Sequence, residues 1–288
     1  MPPAPAQPEV AIVIPCYRYA HVLPDAVRSA VQQTWENVRI VIVDDGSPDE
    51  TRAVAEQLIA EHPDARIDYV HQPNQGLAAA RNTGIRATSS EFVLPLDADD
   101  RLVPEAVERL VTALRAENAD VATPLGRTFG DEDRALVTLP VTRRRLLAGN
   151  CLVYSSMFRR SLYDRVGGYG NNMHAGYEDW DFWLGALERG ARFTHVAEEL
   201  FCYRRHGATM LSSADRAALQ LRATIVSNHP ALYPAWRVWL ARRWLTQAER
   251  PTWPVRLGML VTLLVDRRLG QFWRQVALLR EPAALSGS

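Results

Sequence analysis

Two runs of β-branched residues constrain the fold of this chain more than any other feature. Residues 10–14 read VAIVI and residues 40–43 read IVIV, without a polar side chain in either run. Such strands are typical of parallel sheets that are covered on both faces. Residues 23–31, between the two runs, carry apolar residues at helical spacing, which predicts a helix packed on the sheet. The chain therefore begins with a βαβ unit.

The alternation of strands and helices continues through the first half of the chain. The same patterns predict a helix from residue 51, strands at 66–70, 92–96 and 119–124, and helices at 77–87 and 103–114. Right-handed crossovers bring the carboxyl ends of strands one, two and four to one edge of the sheet. The predicted fold class is α/β, with a doubly wound, mostly parallel sheet flanked by helices. The GxGxxG motif of dinucleotide-binding folds is absent, so a nicotinamide cofactor is not expected.

The second half of the chain is less regular. Its patterns predict a basic loop at 139–150, a strand at 155–159, a glycine-rich turn and mobile lid at 167–172, a helix from Glu178, and strands at 192–196 and 200–204. At least three helical segments follow, interrupted by prolines. We therefore expect a disordered leader at 1–9, a catalytic domain at 10–210 and a helical extension at 211–288.

Composition excludes several reaction classes. The chain has no lysine, so Schiff-base and P-loop lysine chemistry is excluded. Cys16, Cys151 and Cys202 are far apart, which indicates neither a zinc site nor a disulfide framework and fits a reducing compartment. The longest uncharged apolar run, residues 257–265, is far shorter than the roughly 20 residues that cross a bilayer. We expect a cytoplasmic protein, without a signal peptide.

Two acidic motifs follow predicted strands. Asp44 and Asp45 end the second strand, where their carboxylates can accept hydrogen bonds from a base or ribose, or can simply form the turn into the next helix. Asp97 and Asp99 follow the fourth strand. Carboxylates packed so closely repel one another unless a cation or solvent screens them. We therefore favour a divalent metal at Asp97 and Asp99 over a solvated strand end.

Two further segments carry candidate residues. Glu178 and Asp179 open a helix, where the macrodipole favours acids regardless of function. A carboxylate fixed at a rigid helix start beside aromatic residues also makes a well-placed general base. His206 ends a predicted strand and is either an ordinary surface residue or a nitrogen ligand for the metal.

Five motifs stand in a fixed order along the chain. They are IVIPCY at 12–17, VDDGS at 43–47, NQGLAAARN at 74–82, LDADD at 96–100 and EDW at 178–180. This series resembles the family 2 glycosyltransferases with the GT-A fold, over about residues 10–206. The resemblance implies an inverting enzyme that moves a sugar from a nucleoside-diphosphate donor, in the first place UDP, to an acceptor hydroxyl. It also implies Mn²⁺ or Mg²⁺ as the cofactor.

The resemblance assigns roles to matching positions. It implies donor contacts by Pro15, Tyr17, Asp44, Asp45, Asn74, Gly76, Arg81 and Asp97, metal ligation by Asp97, Asp99 and His206, and a catalytic base at Asp179. We place Glu178 and Trp180 beside the acceptor. Arg18 departs from the asparagine that many members carry after the tyrosine, which affects donor handling more than the reaction.

Two other functions are alternatives to sugar transfer. A catalytically silent carbohydrate-binding protein would share the fold, and a sugar-phosphate nucleotidyltransferase would need a glycine-rich loop after the first strand that is absent. Residues 215–288 carry eleven arginines against four acids, together with several tryptophans. This composition fits peripheral contact with anionic lipid at the inner face of the membrane, or helices packed on the core. We expect a glycan or lipid-linked acceptor from surface glycan assembly, and no nucleic acid.

Overall fold

The computed structural model describes residues 7–136, 139–205, 218–246, 252–255, 257–262 and 264–266. The strands in these ranges are β1 Val10–Cys16, β2 Val38–Asp44, β3 Arg66–His71, β4 Phe92–Pro95, β5 Arg101–Leu102, β6 Val121–Gly130, β7 Ala135–Leu136, β8 Met157–Arg159 and β9 Phe193–Arg205. The helices are α1 Leu23–Val31, α2 Thr51–Glu61, α3 Leu77–Arg86, α4 Ala106–Ala116, α5 Arg143–Ala148, α6 Arg160–Val166, α7 Glu178–Glu188, α8 Ala218–Asn228 and α9 Ala235–Thr246.

One mixed sheet organises the molecule. Its strand order is β3-β2-β1-β4-β8-β6-β9-β5, with β7 paired to β6. Strands β3, β2, β1 and β4 run parallel, β8 is antiparallel to both of its neighbours, and β6 and β9 are parallel to each other. The predicted α/β fold with a mostly parallel sheet is confirmed. The carboxyl ends of β1, β2 and β4 lie at one edge, as the crossover argument requires.

Both faces of the sheet are covered, which explains the unbroken apolar runs. All seven residues of β1 are buried. Ala11 and Val13 point into one hydrophobic cluster, whereas Ile12 and Ile14 point into the other, because successive side chains of a strand alternate between faces. Helix α3 packs closely on this strand: a Cβ at Gly84 would lie 2.4 Å from a methyl of Val13. This contact fixes the position of the helix that carries Arg81.

Two sequence predictions are corrected. The basic loop at 139–150 contains the short helix α5, which begins where Thr142 accepts a hydrogen bond from the Arg145 backbone N–H. The two strands predicted at 192–196 and 200–204 form the single strand β9, with a bulge opposite residues 124–126 of β6. The irregularity includes residues 197–199, which separate the two predicted strands.

The last residues of the predicted leader have contacts with the sheet. Residues 7–9 are held against the sheet, because Trp35 and Asn37 donate hydrogen bonds to the backbone carbonyls of residues 8 and 7. The Glu9 carboxylate in addition pairs with Arg66 at 2.8 Å. Residues 1–6 lie outside the described part of the chain.

The C-terminal helices pack onto the catalytic half. Leu221 and Ile225 of α8 belong to the same hydrophobic cluster as Trp183 of α7. The predicted boundary at residue 210 falls outside the described residues. None of the described helices combines the length and the hydropathy that crossing a membrane requires.

Candidate active site

A buried arginine joins the acidic segment after β4 to the acidic segment that opens α7. Arg81 projects from α3 and is 1% exposed. Its guanidinium donates to Oδ1 of Asp97 at 2.8 Å and to Oε1 of Glu178 at 2.6 Å. The rings of Tyr154 and Tyr169 lie 5.1 and 5.6 Å from the guanidinium carbon. Residues 97–100 after β4 and residues 178–181 at the start of α7 therefore meet in one site, although about 80 residues separate them in the chain.

The three acids after β4 have different surroundings. Asp100 is fully buried and accepts hydrogen bonds from the Tyr154 hydroxyl and the Arg204 backbone N–H, at 2.5 and 2.7 Å. Burial and the neighbouring carboxylates raise the pKa of Asp100 well above its usual value. Burial raises the pKa of Asp97 to about 6, and the charge of Asp99 adds to this against the opposing effect of Arg81. Asp100 is thus a structural residue that ties β4 to β9.

Asp97 and Asp99 fit a divalent cation. Both side chains are half-buried at the carboxyl edge of the sheet. Their mutual repulsion contributes to the raised pKa of Asp97, and a hard cation between the carboxylates would relieve it. The described residues contain no cluster of three or more His, Cys, Asp or Glu side chains suited to a metal. His206, the third predicted ligand, lies outside the described residues, and the metal role of all three residues stays a prediction.

Asp179 has the surroundings of a tuned carboxylate. It is half-buried in the first turn of α7, where its two oxygens accept hydrogen bonds from the Asn150 side chain and the Trp180 backbone N–H, both at 2.7 Å. Burial and the charge of Glu178 raise the pKa of Asp179 to about 7, although Arg81 and the two hydrogen bonds oppose the rise. A general base is most effective when its pKa lies near the working pH.

Glu178 and Trp180 are both buried. Glu178 is 6% exposed and is occupied by Arg81, and Trp180 is 3% exposed with its indole N–H donated to the Leu146 carbonyl at 2.7 Å. In the structure these two side chains support the start of α7 from the interior. Their predicted contact with an acceptor stays a prediction.

Asp44 and Asp45 shape the opposite end of the edge. Asp45 accepts hydrogen bonds from the Gln72 side chain and from the backbone N–H groups of Gln75 and Gly76, at 2.7 to 2.9 Å. Asp44 accepts from the Ser47 backbone N–H and from the Tyr69 hydroxyl. Although burial alone would raise the pKa of Asp44, these hydrogen bonds lower it. Both carboxylates are 3% exposed, so in the structure they organise the loops at this end of the edge, and their donor contacts stay predictions.

The remaining predicted donor residues line the same edge. Pro15 is buried in β1, and Tyr17 is 38% exposed with the Arg18 guanidinium over its ring. Asn74 is exposed, and Gly76 immediately precedes α3 with a φ of 88°. Gly76 also borders a small cavity of about 10 Å³ together with Asn171, His174 and Glu178. Their nucleotide contacts stay predictions.

Sequence reasoning missed several residues that build the site. Tyr154 donates to Asp100 and accepts a hydrogen bond from the Asp97 backbone N–H. Asn150 binds the candidate base, and Tyr169 stacks near Arg81. These residues come from irregular segments, and no periodic pattern or local motif distinguishes them in the sequence.

A histidine of the extension clamps the helix that carries Asp179. The ring nitrogens of His229 lie 3.0 Å from Asp181 and 3.0 Å from Glu188, both on α7. Burial alone would lower the pKa of His229, but the hydrogen bonds and charges of these two carboxylates outweigh it and raise the pKa. The folded protein therefore favours the protonated imidazolium more than the unfolded chain does.

This clamp predicts a pH-dependent contribution to stability. Because the pKa is higher in the folded state, the contribution is fully present below the unfolded value of about 6.5 and is lost as pH rises through the folded value. We expect His229→Gln to lower the free energy of unfolding by about 1–3 kcal/mol at pH 6 and by less at pH 9. Thermal denaturation of both proteins across this range measures the difference. A difference that stays constant or grows with pH would contradict the charged clamp.

The family follows from comparison with known proteins. The family model described as glycosyl transferase family 2 matches residues 11–171, more than half of the 288 residues. The chain belongs to glycosyl transferase family 2. The resemblance stated from the five ordered motifs is thereby confirmed.

Relatives of this family 2 glycosyltransferase include much longer proteins. Glycosyltransferase EpsJ of Bacillus subtilis is 28% identical over 214 residues, which cover 69% of this chain and 62% of EpsJ. Chondroitin synthase of Escherichia coli is 29% identical over 207 residues, which cover 69% of this chain and 29% of the synthase. The match therefore spans less than two thirds of either relative.

Solved structures show the same fold. Residues 1–349 of S. aureus TarS in complex with UDP align with a TM-score of 0.61 at 17% identity. The alignment covers 83% of this chain and 71% of that TarS fragment. The mannosyltransferase PcManGT of Pyrobaculum calidifontis, in complex with GDP-Man and Mn²⁺, aligns with a TM-score of 0.58 at 16% identity, over 92% and 88% of the two chains. The family 2 glycosyltransferase described here has the GT-A fold.

Proposed function

We propose that this chain transfers a sugar from a nucleoside-diphosphate donor, in the first place a UDP-sugar, to an acceptor hydroxyl with inversion at the anomeric carbon. The observation that carries the proposal is the Arg81 bridge, because it places the carboxylates of Asp97 and Glu178 on one guanidinium. The candidate base Asp179 is adjacent to Glu178 in the same helical turn. A donor held beside Asp97 would therefore lie in the same site as Asp179, the group that activates the acceptor.

The residues present suit a metal-assisted departure of the diphosphate. Asp97 and Asp99 would hold Mn²⁺ or Mg²⁺, which supplies positive charge for the leaving diphosphate. Two carboxylates leave ligand positions for diphosphate oxygens, as Mg²⁺ sites commonly do. The complexes of TarS with UDP and of PcManGT with GDP-Man and Mn²⁺ support this choice of ligands by analogy of fold.

Asp179 would take the proton of the acceptor hydroxyl. The acceptor oxygen attacks the anomeric carbon from the side opposite the diphosphate, and its proton passes to Asp179. Asn150 holds one carboxylate oxygen and the start of α7 holds the other, so the base is fixed in orientation. A second carboxylic acid to protonate the leaving group, as in glycoside hydrolysis, is unnecessary in this scheme.

The acceptor is proposed to be a glycan or a lipid-linked glycan in surface polysaccharide assembly. The relative chondroitin synthase and the complex of TarS with UDP-GlcNAc fit this class of reaction. The three cysteines are free thiols, which fits a reducing, cytoplasmic compartment.

A thermal-shift panel of nucleotide sugars with Mn²⁺ or Mg²⁺ tests the donor. A ligand that binds the native state at a hundred times its Kd stabilises it by about 2.7 kcal/mol, which raises the midpoint by roughly 5–10 °C in a protein of this size. We expect a metal-dependent shift with a UDP-sugar in the wild type. Asp99→Ala should abolish most of it, and Asp133→Ala, which removes an exposed carboxylate from the turn between β6 and β7, should not. Equal shifts with and without metal, or in the Asp99 variant, would contradict the metal site.

A further inference from the structure

Large apolar side chains are exposed mainly in one part of the molecule. Of the nine that are exposed in the described structure, eight lie between residues 236 and 265, and the ninth is Tyr17. Proteins normally scatter such residues singly over their surface, and a concentrated patch marks a place of interaction. The helical extension therefore presents a surface that the catalytic site does not explain.

Six of these eight side chains lie along one helical segment. The described residues between 253 and 266 are helical from residue 253 onward. The exposed positions recur every three or four residues, which places them on one face, and they are Trp253, Leu257, Leu260, Val261, Leu264 and Val265. Val255 and Met259 on the other face are buried, and Gly258 lies so close to α9 that a Cβ would be 2.9 Å from a Leu240 methyl. The segment is thus apolar on both faces, and only one is covered by the described chain.

The neighbouring helix α9 adds aromatic rings and positive charge. Trp236 and Trp239 are 60% and 61% exposed, about one turn apart. Arg242 and Arg243 follow them and are also exposed. Asp266 is the one acidic residue described between residues 235 and 266, and it is buried.

The buried acid does not offset the exposed arginines. The Asp266 carboxylate pairs inside the fold with Arg222 at 3.1 Å and with Arg237 at 2.6 Å. The described outer surface of the extension therefore combines tryptophan, leucine and valine with arginine, without an exposed carboxylate. This is the composition of a helix that lies in a membrane interface: aromatic rings at headgroup depth, aliphatic residues below them and cations toward anionic headgroups.

We propose that the outer face of the extension docks on the surface of an anionic lipid bilayer. The charge of the face favours a bilayer over a second copy of this chain, because symmetric pairing would oppose arginine to arginine with no described exposed acid between them. Docking would bring the cleft close to a lipid-linked acceptor, but it does not depend on the proposed reaction. Membrane binding and sugar transfer can therefore fail independently of each other.

Flotation with vesicles tests the docking directly. We expect the full-length wild type to float with phosphatidylcholine vesicles that contain phosphatidylglycerol and to bind much less to phosphatidylcholine alone. The double variant Leu257→Glu/Leu264→Glu should bind at least about tenfold more weakly, because each acid replaces a side chain that would enter the acyl boundary. Arg242→Gln/Arg243→Gln should lose roughly fivefold for each arginine on anionic vesicles. Added salt should reproduce the effect of the arginine variant.

The matched control places the same acids elsewhere. Ala53→Glu/Ala60→Glu changes two exposed residues of α2 and should bind vesicles almost as the wild type does, apart from a small charge effect. Circular dichroism of each variant establishes that the fold is intact, which the exposure of the substituted residues predicts. Absence of vesicle binding by the wild type, or equal binding by the leucine variant, would overturn the proposal. A concentration-dependent dimer that the leucine variant abolishes would assign the face to a second copy instead and would also overturn it.

Discussion

Replacing Asp179 with asparagine is expected to lower kcat by at least about a hundredfold while leaving the fold and donor binding intact. Asparagine keeps the shape of the side chain, and its oxygen can still accept from Asn150 or from the Trp180 backbone N–H. It cannot take the acceptor proton, and general-base catalysis typically contributes 10² to 10⁴ in rate. Steady-state transfer assays with the wild type and the variant, at saturating donor and acceptor, measure the loss.

The pH dependence distinguishes a lost base from a disturbed fold. Since the pKa of Asp179 is raised to about 7 and only the ionised carboxylate accepts a proton, kcat/KM of the wild type should rise with pH and reach half its limit near pH 7. This limb should be missing in the variant. Asp164→Asn, the same change at an exposed residue of α6, serves as the control and should retain both rate and limb. Near-normal turnover of the Asp179 variant would remove this residue from the role of base.

The second large effect is expected at Arg81. Methionine is similar in length and apolar, so Arg81→Met should fill most of the space but leave the Glu178 and Asp97 carboxylates without their cation. Removing one partner of a buried ion pair usually costs about 3–5 kcal/mol, because the remaining charge is left uncompensated. Thermal denaturation should show a midpoint lowered by roughly 10 °C.

Two further variants separate charge from packing. Arg86→Met changes an exposed arginine of the same helix and should alter the midpoint little. Adding Glu178→Gln to Arg81→Met removes one of the stranded carboxylates and should recover part of the lost stability, since the two changes are coupled through direct contact. Equal stability of wild type and Arg81→Met, or no recovery in the double variant, would contradict the view of Arg81 as the charge centre of the site.

Periodicity in the sequence was sufficient for the first half of the fold. The fully buried β1, the mostly buried β2 and the amphipathic α1 and α4 satisfy simple rules, because each keeps one pattern of burial along its length. The edge that holds the candidate site followed from the handedness of crossovers. Ordered motifs then identified the family, which a single acidic pair such as Asp97 and Asp99 would not have done.

The contacts that give each acid its function were beyond sequence reasoning. Asp100 resembles its neighbours in the chain, but it lies beneath them and binds β9. Trp180 follows the candidate base directly, but its ring turns into the core toward Leu146. Asn150 and Tyr154 reach the site from irregular segments, whose course depends on tertiary packing that no local pattern encodes.

The contacts of α8 and His229 with α7 have a consequence for dividing the protein into fragments. Arg222 lies 5.0 Å over the Trp180 ring and donates to the Ala148 carbonyl, and His229 spans Asp181 and Glu188. A fragment that stops at the end of β9 would keep α7 but would expose its apolar and acidic groups to water together. The catalytic part and the helical extension should therefore unfold as one cooperative unit. A catalytic part moved into another protein would need other residues to support α7 behind its base.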